Sequence, residues 1–303
     1  MSKTPFGKRI FWLLLVTGLP LLAVSCGAET GASEQVGMAV TILPQAEFVE
    51  NIGGDKVSVT VMVPPGASPH TFEPTPSQMA ALSKANIYAR VGSGIEFELA
   101  WMDKLININR DMLVIDCSQG IKLQERSVIP GHKPESENHD LSPLDPHIWM
   151  SPQNARIMVR NISDGLIQVD PKNKGYYQQN RDAYLEKLAR LDQDIRTALS
   201  GTTARHFMVY HPSLGYFARD YNLTMLPIEE SGKEPTPASL ARLIEQAKQQ
   251  NIKVIFASPQ FNPQSAGVIA EAIDGRLVFI DPLARDYIMN LHTILEELVT
   301  AME

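Results

Sequence analysis

Three histidines and one aspartate stand just after short apolar runs: His70, His147, His211 and Asp281. Three neutral imidazoles and one carboxylate are enough to fill a tetrahedral zinc site. Any one of these histidines alone is more readily interpreted as an ordinary core or surface residue. All four, however, occupy equivalent places in a repeated strand-then-loop pattern, and this repetition predicts a single metal site.

The number of protein ligands separates metal binding from metal catalysis. Four protein ligands leave no open position for an activated water, whereas catalytic zinc normally keeps one. No HExxH motif occurs in the sequence, and the nearest carboxylate to a predicted ligand, Asp145, is expected to cap a turn. We therefore predict a binding protein that is not an enzyme, with a metallohydrolase as the alternative.

The residue types also bear on which metal is bound. Imidazole nitrogens favour Zn²⁺, while Mn²⁺ prefers a larger share of oxygen ligands. His211 is the deciding residue, because a glutamate there would shift the set towards oxygen. The prediction is Zn²⁺, with Mn²⁺ or Fe²⁺ as the alternative cargo.

The elements that must position these residues form two similar series. Apolar, β-branched runs predict four strands in each half, at 38–43, 57–63, 87–91 and 112–116, and at 206–210, 224–228, 253–257 and 276–280. Helical patterns lie between them, at 45–52, 77–84 and 97–108, and at 214–221, 237–250, 263–273 and 287–302. Alternating strands and helices predict α/β lobes with parallel sheets, at 38–170 and 201–303, each able to bury its own core.

One long charged helix is predicted between the lobes, over 171–200. Apolar residues recur there at three-, four- and seven-residue steps, from Tyr177 to Leu199. At ~1.5 Å per residue such a helix is roughly 40 Å long. We interpret it as a rigid strut joining the lobes, and the alternative is a surface helix of one lobe.

Open parallel sheets bind ligands at the carboxyl ends of their strands. His211 and Asp281 directly follow strands of the second half. His70 follows the second strand through a Pro-rich loop, and His147 precedes a helix that starts near Pro152. Two ligands from each lobe are therefore expected to meet in the cleft between the lobes.

The first 25 residues have the pattern of a signal peptide. Lys3, Lys8 and Arg9 precede an apolar stretch of fifteen residues, which is short for a membrane span. The stretch ends in a lipobox-like sequence, so Cys26 is expected to be lipidated and to anchor the protein to the membrane outside the cytoplasm. Cleavage after Ser25 by ordinary signal peptidase is the alternative. Residues 26–37 are small and polar, as expected for a flexible tether.

Charge and cysteine content limit the partners. Removal of residues 1–25 leaves 24 Lys and Arg (27 less 3) against 34 Asp and Glu. Nucleic acid is therefore not expected as a partner, because phosphate binding needs a basic face. If Cys26 carries lipid, Cys117 is the only remaining thiol and no intrachain disulfide can form.

Five stretches carry a resemblance to a known family: PGASPHTFEPTPSQMAAL, LDPHIWMSP, DPKNKGYYQQNRDAYLEKLARLD, VYHPSLGYFARDY and FIDPLARDY. In them the chain resembles the metal-specific solute-binding proteins of bacterial ABC importers, the ZnuA and TroA group. The resemblance implies two (β/α)4 lobes joined by one long helix, with the family's four metal ligands at His70, His147, His211 and Asp281. It also implies delivery of the metal to an ABC permease with its cytoplasmic ATPase, and we expect a monomer.

Two features differ from the pattern of the zinc-specific members. Their long His-rich loop before the second ligand is represented here only by His132 and His139, in a segment that is either a weak metal-gathering loop or simply solvated. Some members also supply a glutamate directly before the first histidine, where this chain has Pro69. That difference makes Asp281 the expected fourth ligand. A second activity as an adhesin stays open.

Overall fold

A computed structural model describes residues 35–127, 143–229 and 232–302. These residues belong to one compact unit. The predicted signal peptide, Cys26, His132 and His139 lie outside the described residues. Among the described residues, no helix is long and apolar enough to cross a membrane.

The first lobe is built on a parallel four-stranded sheet in the order β2-β1-β3-β4. Its strands are β1 (Val36–Val40), β2 (Val57–Val61), β3 (Ile87–Arg90) and β4 (Leu113–Asp116). Its helices are α1 (Leu43–Gly53), α2 (Pro76–Leu82), α3 (Glu96–Ile108) and α4 (Pro152–Val169). Covering helices account for the near-continuous apolar character of the central strands.

The second lobe repeats this arrangement, with the strand order β6-β5-β7-β8 and all pairs parallel. Its strands are β5 (His206–Val209), β6 (Thr224–Pro227), β7 (Val254–Ala257) and β8 (Arg276–Phe279). Its helices are α6 (Gly215–Asp220), α7 (Pro237–Gln249), α8 (Gln264–Ala272) and α9 (Tyr287–Met302). The predicted α/β class and the internal repeat are thus confirmed.

Three helices begin with the same local signal. The hydroxyls of Thr75, Ser151 and Thr236 each accept a hydrogen bond from the backbone N–H three residues further on, and each is followed by proline. Such caps satisfy an amide that has no partner within the helix, and proline fits the first helical position. The start of α4, next to the candidate site, is fixed in this way.

The long helix α5 (Lys174–Ser200) packs against both lobes. It contacts α1 and α4 of the first lobe and α9 of the second. Its buried residues are those of the predicted apolar stripe: Tyr177, Tyr184, Leu188, Leu191, Ile195 and Leu199. The strut interpretation is favoured over a surface helix of one lobe.

The apolar cores differ from the expectation of one core in each lobe. One large cluster runs from β1 through α5 to β5 and α9, and a smaller cluster belongs to each lobe separately. The shared stripe of α5 is the physical reason, because it buries apolar surface against both sheets at once. The lobes therefore share a hydrophobic interior.

The predicted tether to residue 37 is also too long by two residues. Strand β1 begins at Val36, which pairs with Val57 and is buried. Val36 buries its apolar side chain by joining the sheet. The small, polar residues before it gave no indication of a strand there.

Polar contacts between the lobes converge on the segment that follows β8. The indole N–H of Trp149 donates to the carbonyl of Pro282 at 2.8 Å, and the hydroxyl of Tyr287 donates to the carbonyl of Trp149 at 2.7 Å. The backbone N–H of Tyr287 donates to the carboxylate of Glu47 in α1. The first lobe thus holds the chain that follows Asp281 at Pro282 and Tyr287.

Candidate metal centre

Three of the four predicted ligands lie together. His70 is in the loop after β2, His147 immediately precedes a short 3-10 turn (Ile148–Met150) that leads into α4, and His211 comes two residues after β5. Their candidate ligand atoms all lie within 4.8 Å of one another. Two histidines thus come from the first lobe and one from the second.

The Nε2 atoms of the three rings face a common point. Nε2 of His211 is 3.2 Å from Nε2 of His70 and 3.1 Å from Nε2 of His147. Two nitrogens bound to a tetrahedral zinc at ~2.05 Å are about 3.3 Å apart. The observed separations are close to that spacing.

A carboxylate holds the other nitrogen of each ring. Nδ1 of His70 is 2.6 Å from Glu96, Nδ1 of His147 is 2.8 Å from Asp145, and Nδ1 of His211 is 2.8 Å from Glu229. An ionised carboxylate can only accept, so each Nδ1 carries the hydrogen and donates it. A neutral imidazole protonated at Nδ1 presents an unprotonated Nε2.

Three nitrogen lone pairs therefore point at one another at close range. Because none of these nitrogens has a hydrogen to share in that tautomer, the arrangement is repulsive without a positive charge between them. A divalent cation at the common point would turn each repulsion into a bond. The carboxylate partners match the outer shell that fixes the tautomer and basicity of metal-binding histidines.

Burial keeps two of these rings neutral. By disfavouring the imidazolium form it lowers the pKa of His211 to about 4, although the hydrogen bond to Glu229 opposes the shift. Burial lowers the pKa of His147 in the same way. Neutral imidazole is the form that binds metal, so few protons need to be displaced from these two rings near pH 7.

Glu96 is held in its ionised form. Burial alone would raise its pKa, but the hydrogen bond from His70 and the positive charge of Arg126 outweigh burial and lower the pKa to about 2. Arg126 lies 2.6 Å from the second oxygen of this carboxylate. Each oxygen of the Glu96 carboxylate therefore accepts a hydrogen bond, one from His70 and one from Arg126.

Asp145 does two things at once. Its Oδ1 accepts from both the backbone N–H and Nδ1 of His147, and its Oδ2 accepts from Gln124. The second lobe approaches it closely at Gly215, where a Cβ atom would collide with Oδ2. The turn-capping role predicted for Asp145 is present, but its orientation of His147 was not predicted.

The fourth predicted ligand, Asp281, lies outside the group of three histidines. Its Oδ1 accepts from Nε2 of Gln260 at 2.7 Å and from the backbone N–H of Leu283 at 3.0 Å. The cleft beside the histidines has about 280 Å³ of empty space, part of it open solvent, and its lining includes Gln260, Pro282 and Leu283.

Aromatic rings wall the cleft on two sides. Phe261 stacks on His211 with ring centroids 4.4 Å apart, and Trp149 meets His147 edge-on at 5.3 Å. Residues 148–150 form a 3-10 turn, and both His147 and Trp149 line the cleft. Trp149 is both a fully buried core residue and part of the cleft wall.

Three carboxylates of the centre were missed as partners of the histidines: Glu96, Asp145 and Glu229. A signal existed for two of them, because Glu229 follows β6 by two residues and Glu96 begins the helix after β3. These are the same strand-end positions that identified the histidines. Their pairing with particular rings depends on tertiary contacts across 18 and 26 residues, which spacing alone does not give.

Two lobes of the same topology, one long helix and a histidine cluster between the lobes define the class of solute-binding proteins that serve metal ABC importers. Residues 38–301 match the family described as zinc-uptake complex component A, periplasmic (ZnuA). The chain belongs to this family, whose members are metal-binding substrate-binding proteins of ABC transporters and not enzymes.

Individual relatives agree with this assignment. The chain is 30% identical to the high-affinity zinc uptake system protein ZnuA of Bacillus subtilis, over 91% of this chain and 89% of that protein. It is 27% identical to the manganese-binding lipoprotein MntA of Halalkalibacterium halodurans, over 84% of this chain and 83% of that protein. A crystal structure of ZnuA matches with a TM-score of 0.82 and 39% identity, covering 89% of this chain and 100% of that chain.

Proposed function

We propose that this protein captures Zn²⁺ outside the cytoplasm and delivers it to the permease of an ABC importer. The observation that carries the proposal is the convergence of three Nε2 atoms, each on a ring whose Nδ1 is held by a carboxylate. The carboxylates fix the tautomer and the orientation of each ring, as metal-binding histidines require.

The choice of zinc follows from the ligand type. Three imidazoles suit Zn²⁺, whereas Mn²⁺ is favoured by carboxylate, carbonyl and water oxygens. Relatives named for zinc and for manganese both occur. Mn²⁺ or Fe²⁺ is therefore the alternative cargo, and its case rests on the carboxylate of Asp281.

We assign the ligands as His70, His147 and His211 through Nε2, with Asp281 as the fourth. Support for Asp281 comes from its position two residues after β8, the place that His211 occupies after β5. Coordination requires its carboxylate to turn towards the histidines. The ion is cargo that must leave again, and a fourth ligand that moves suits capture and release.

The remaining parts of the proposal concern where the protein works. Lipidation at Cys26 would hold it at the outer face of the cell membrane, near its permease and the cytoplasmic ATPase. Relatives named as lipoproteins support this placement. We expect a monomer, because one chain supplies the complete set of ligands.

Competition titration against buffered Zn²⁺ and Mn²⁺ tests the cargo. The wild type should hold Zn²⁺ more tightly, and tighter binding of Mn²⁺ would overturn the choice of zinc. The ligand set is tested with His70→Ala, His147→Ala, His211→Ala and Asp281→Ala. Each should lose more zinc affinity than the ~10–100-fold typical of outer-shell changes. His206→Ala, at the start of β5, is the matched control and should leave the affinity unchanged.

A further inference from the structure

Gln260 lies beside the histidine cluster and contacts the proposed fourth ligand. It follows β7, and Asp281 follows the neighbouring parallel strand β8, so both lie at one end of the same sheet. Gln260 lines the cleft beside the histidines, and its Nε2 donates to Oδ1 of Asp281 at 2.7 Å.

Oδ1 of Asp281 has its full complement of hydrogen bonds. A carboxylate oxygen offers about two lone-pair sites. One takes the amide of Gln260 and the other the backbone N–H of Leu283, at 3.0 Å. Oδ2 has no hydrogen-bond partner within the described parts of the chain.

We propose that Gln260 determines metal selectivity by reserving Oδ1 of Asp281, so that this carboxylate can give the metal only one oxygen. The inference rests on the proposed function, in which Asp281 is the fourth ligand. Gln260 acts through Asp281 and is a positioning residue, not a ligand.

The consequence lies in the coordination number. Three imidazoles and one carboxylate oxygen make four ligands, which is the tetrahedral set of zinc. If both carboxylate oxygens bound, the set would have five ligands and a larger share of oxygen, which favours manganese. By occupying one carboxylate oxygen of Asp281, the amide of Gln260 therefore favours zinc without contacting the metal.

The backbone on either side keeps Gln260 in place. Its neighbour Phe261 stacks on the ring of His211, with centroids 4.4 Å apart and an interplanar angle of 22°. The backbone N–H of Phe261 donates to the carbonyl of Ser258 at 3.1 Å. These contacts hold the backbone from which the Gln260 side chain enters the cleft. The rotatable bonds of that side chain let its amide follow the carboxylate as Asp281 turns to the metal.

Gln260→Met tests the inference, because methionine keeps the length of the side chain and removes the donor. Competition titrations on the full chain with buffered Zn²⁺ and Mn²⁺ measure the ratio of the two affinities. We expect the preference for zinc to fall by roughly tenfold, the low end of outer-shell effects, mainly through tighter manganese binding. Gln264→Met, in the exposed first turn of α8, should leave the ratio unchanged.

A double-mutant cycle separates positioning from other effects. In an Asp281→Ala background, Gln260→Met should no longer change the ratio, because the carboxylate it acts on is gone. If Asp281→Ala weakens zinc while Gln260→Met leaves the ratio unchanged, the role of Gln260 is wrong and the ligand set stands. If Asp281→Ala changes neither affinity, Asp281 is not a ligand, and the proposed four-ligand set and the inference fall together.

Discussion

Each imidazole at the centre is constrained at both of its nitrogens. A carboxylate fixes Nδ1, and the neighbouring rings crowd Nε2 into one small region. The carboxylates therefore fix the tautomer and the orientation of each ring. Outer-shell carboxylates matter for affinity because they set ring orientation and raise the basicity of the coordinating nitrogen.

Glu229→Gln isolates this effect at His211. The amide oxygen can still accept the Nδ1 hydrogen, but the negative charge that strengthens Nε2 as a ligand is lost. Zinc affinity should fall by about 10–100-fold, as measured by titration with a competing chelator. Glu245→Gln, an exposed glutamate on α7 of the same lobe, is the control. Equal affinities in the two variants would mean that Glu229 does not tune the site.

At the residue scale the sequence predicts where the metal-binding side chains lie, but not which side chains they pair with. The histidines are predicted because the carboxyl ends of parallel strands meet at one edge of a sheet. That rule depends on the backbone and not on side-chain orientation. The orientation of Asp281 was not predictable in this way, since it depends on an amide 21 residues earlier in the chain. A side chain of few atoms can turn either towards the cleft or towards its neighbour.

The long helix is the element on which the arrangement depends most. Leu188 is fully buried in the cluster that joins the two sheets through α5. Removing most of its side chain deletes contacts and leaves a cavity that the surroundings fill only in part.

Leu188→Ala should therefore destabilise the whole protein by about 2–5 kcal/mol, and urea unfolding should remain a single transition because the core is shared. Glu186→Ala, on the exposed side of the same helix, should change the free energy of unfolding by well under 1 kcal/mol. Two separate transitions in the wild type, one for each lobe, would contradict the shared core.

The elements themselves were largely predictable. Helix α9 begins and ends at the predicted residues, and the strands agree to within a few residues, because each sheet is covered by helices and its strands must be apolar. The 3-10 turn after His147 was not predicted. Its sequence, Ile148–Met150, is an apolar run that fits a strand equally well, and in the structure it is buried and contacts α4 and α6.

On the scale of the whole molecule, the proposed ligands come from two lobes that share one interior. A long helix packed on both sides resists wide opening, so capture and release are expected to involve local movements of the cleft loops. The loop that carries Asp281 is the natural place for such movement, and contacts from Trp149 and Glu47 limit its range.

Anchoring is tested on the full chain. Mature protein should begin at a lipidated Cys26 and partition with membranes, and Cys26→Ala should stay unprocessed. Mass spectrometry of the mature N-terminus distinguishes this from cleavage after Ser25 without lipid. A water-soluble product that starts at any other residue would exclude the lipid anchor.

Metal binding should also stabilise the folded chain, because the two lobes bring the histidines together only when folded. A ligand that binds only the native state adds about 2.7 kcal/mol to the free energy of unfolding when its free concentration is 100 times Kd. Urea unfolding with zinc buffered at that level should show this increment in the wild type and in His206→Ala, and a chelator should remove it. His147→Ala should show almost none at the same free zinc concentration, since its affinity is far weaker. An undiminished increment in His147→Ala would mean that zinc stabilises the protein from a different set of side chains.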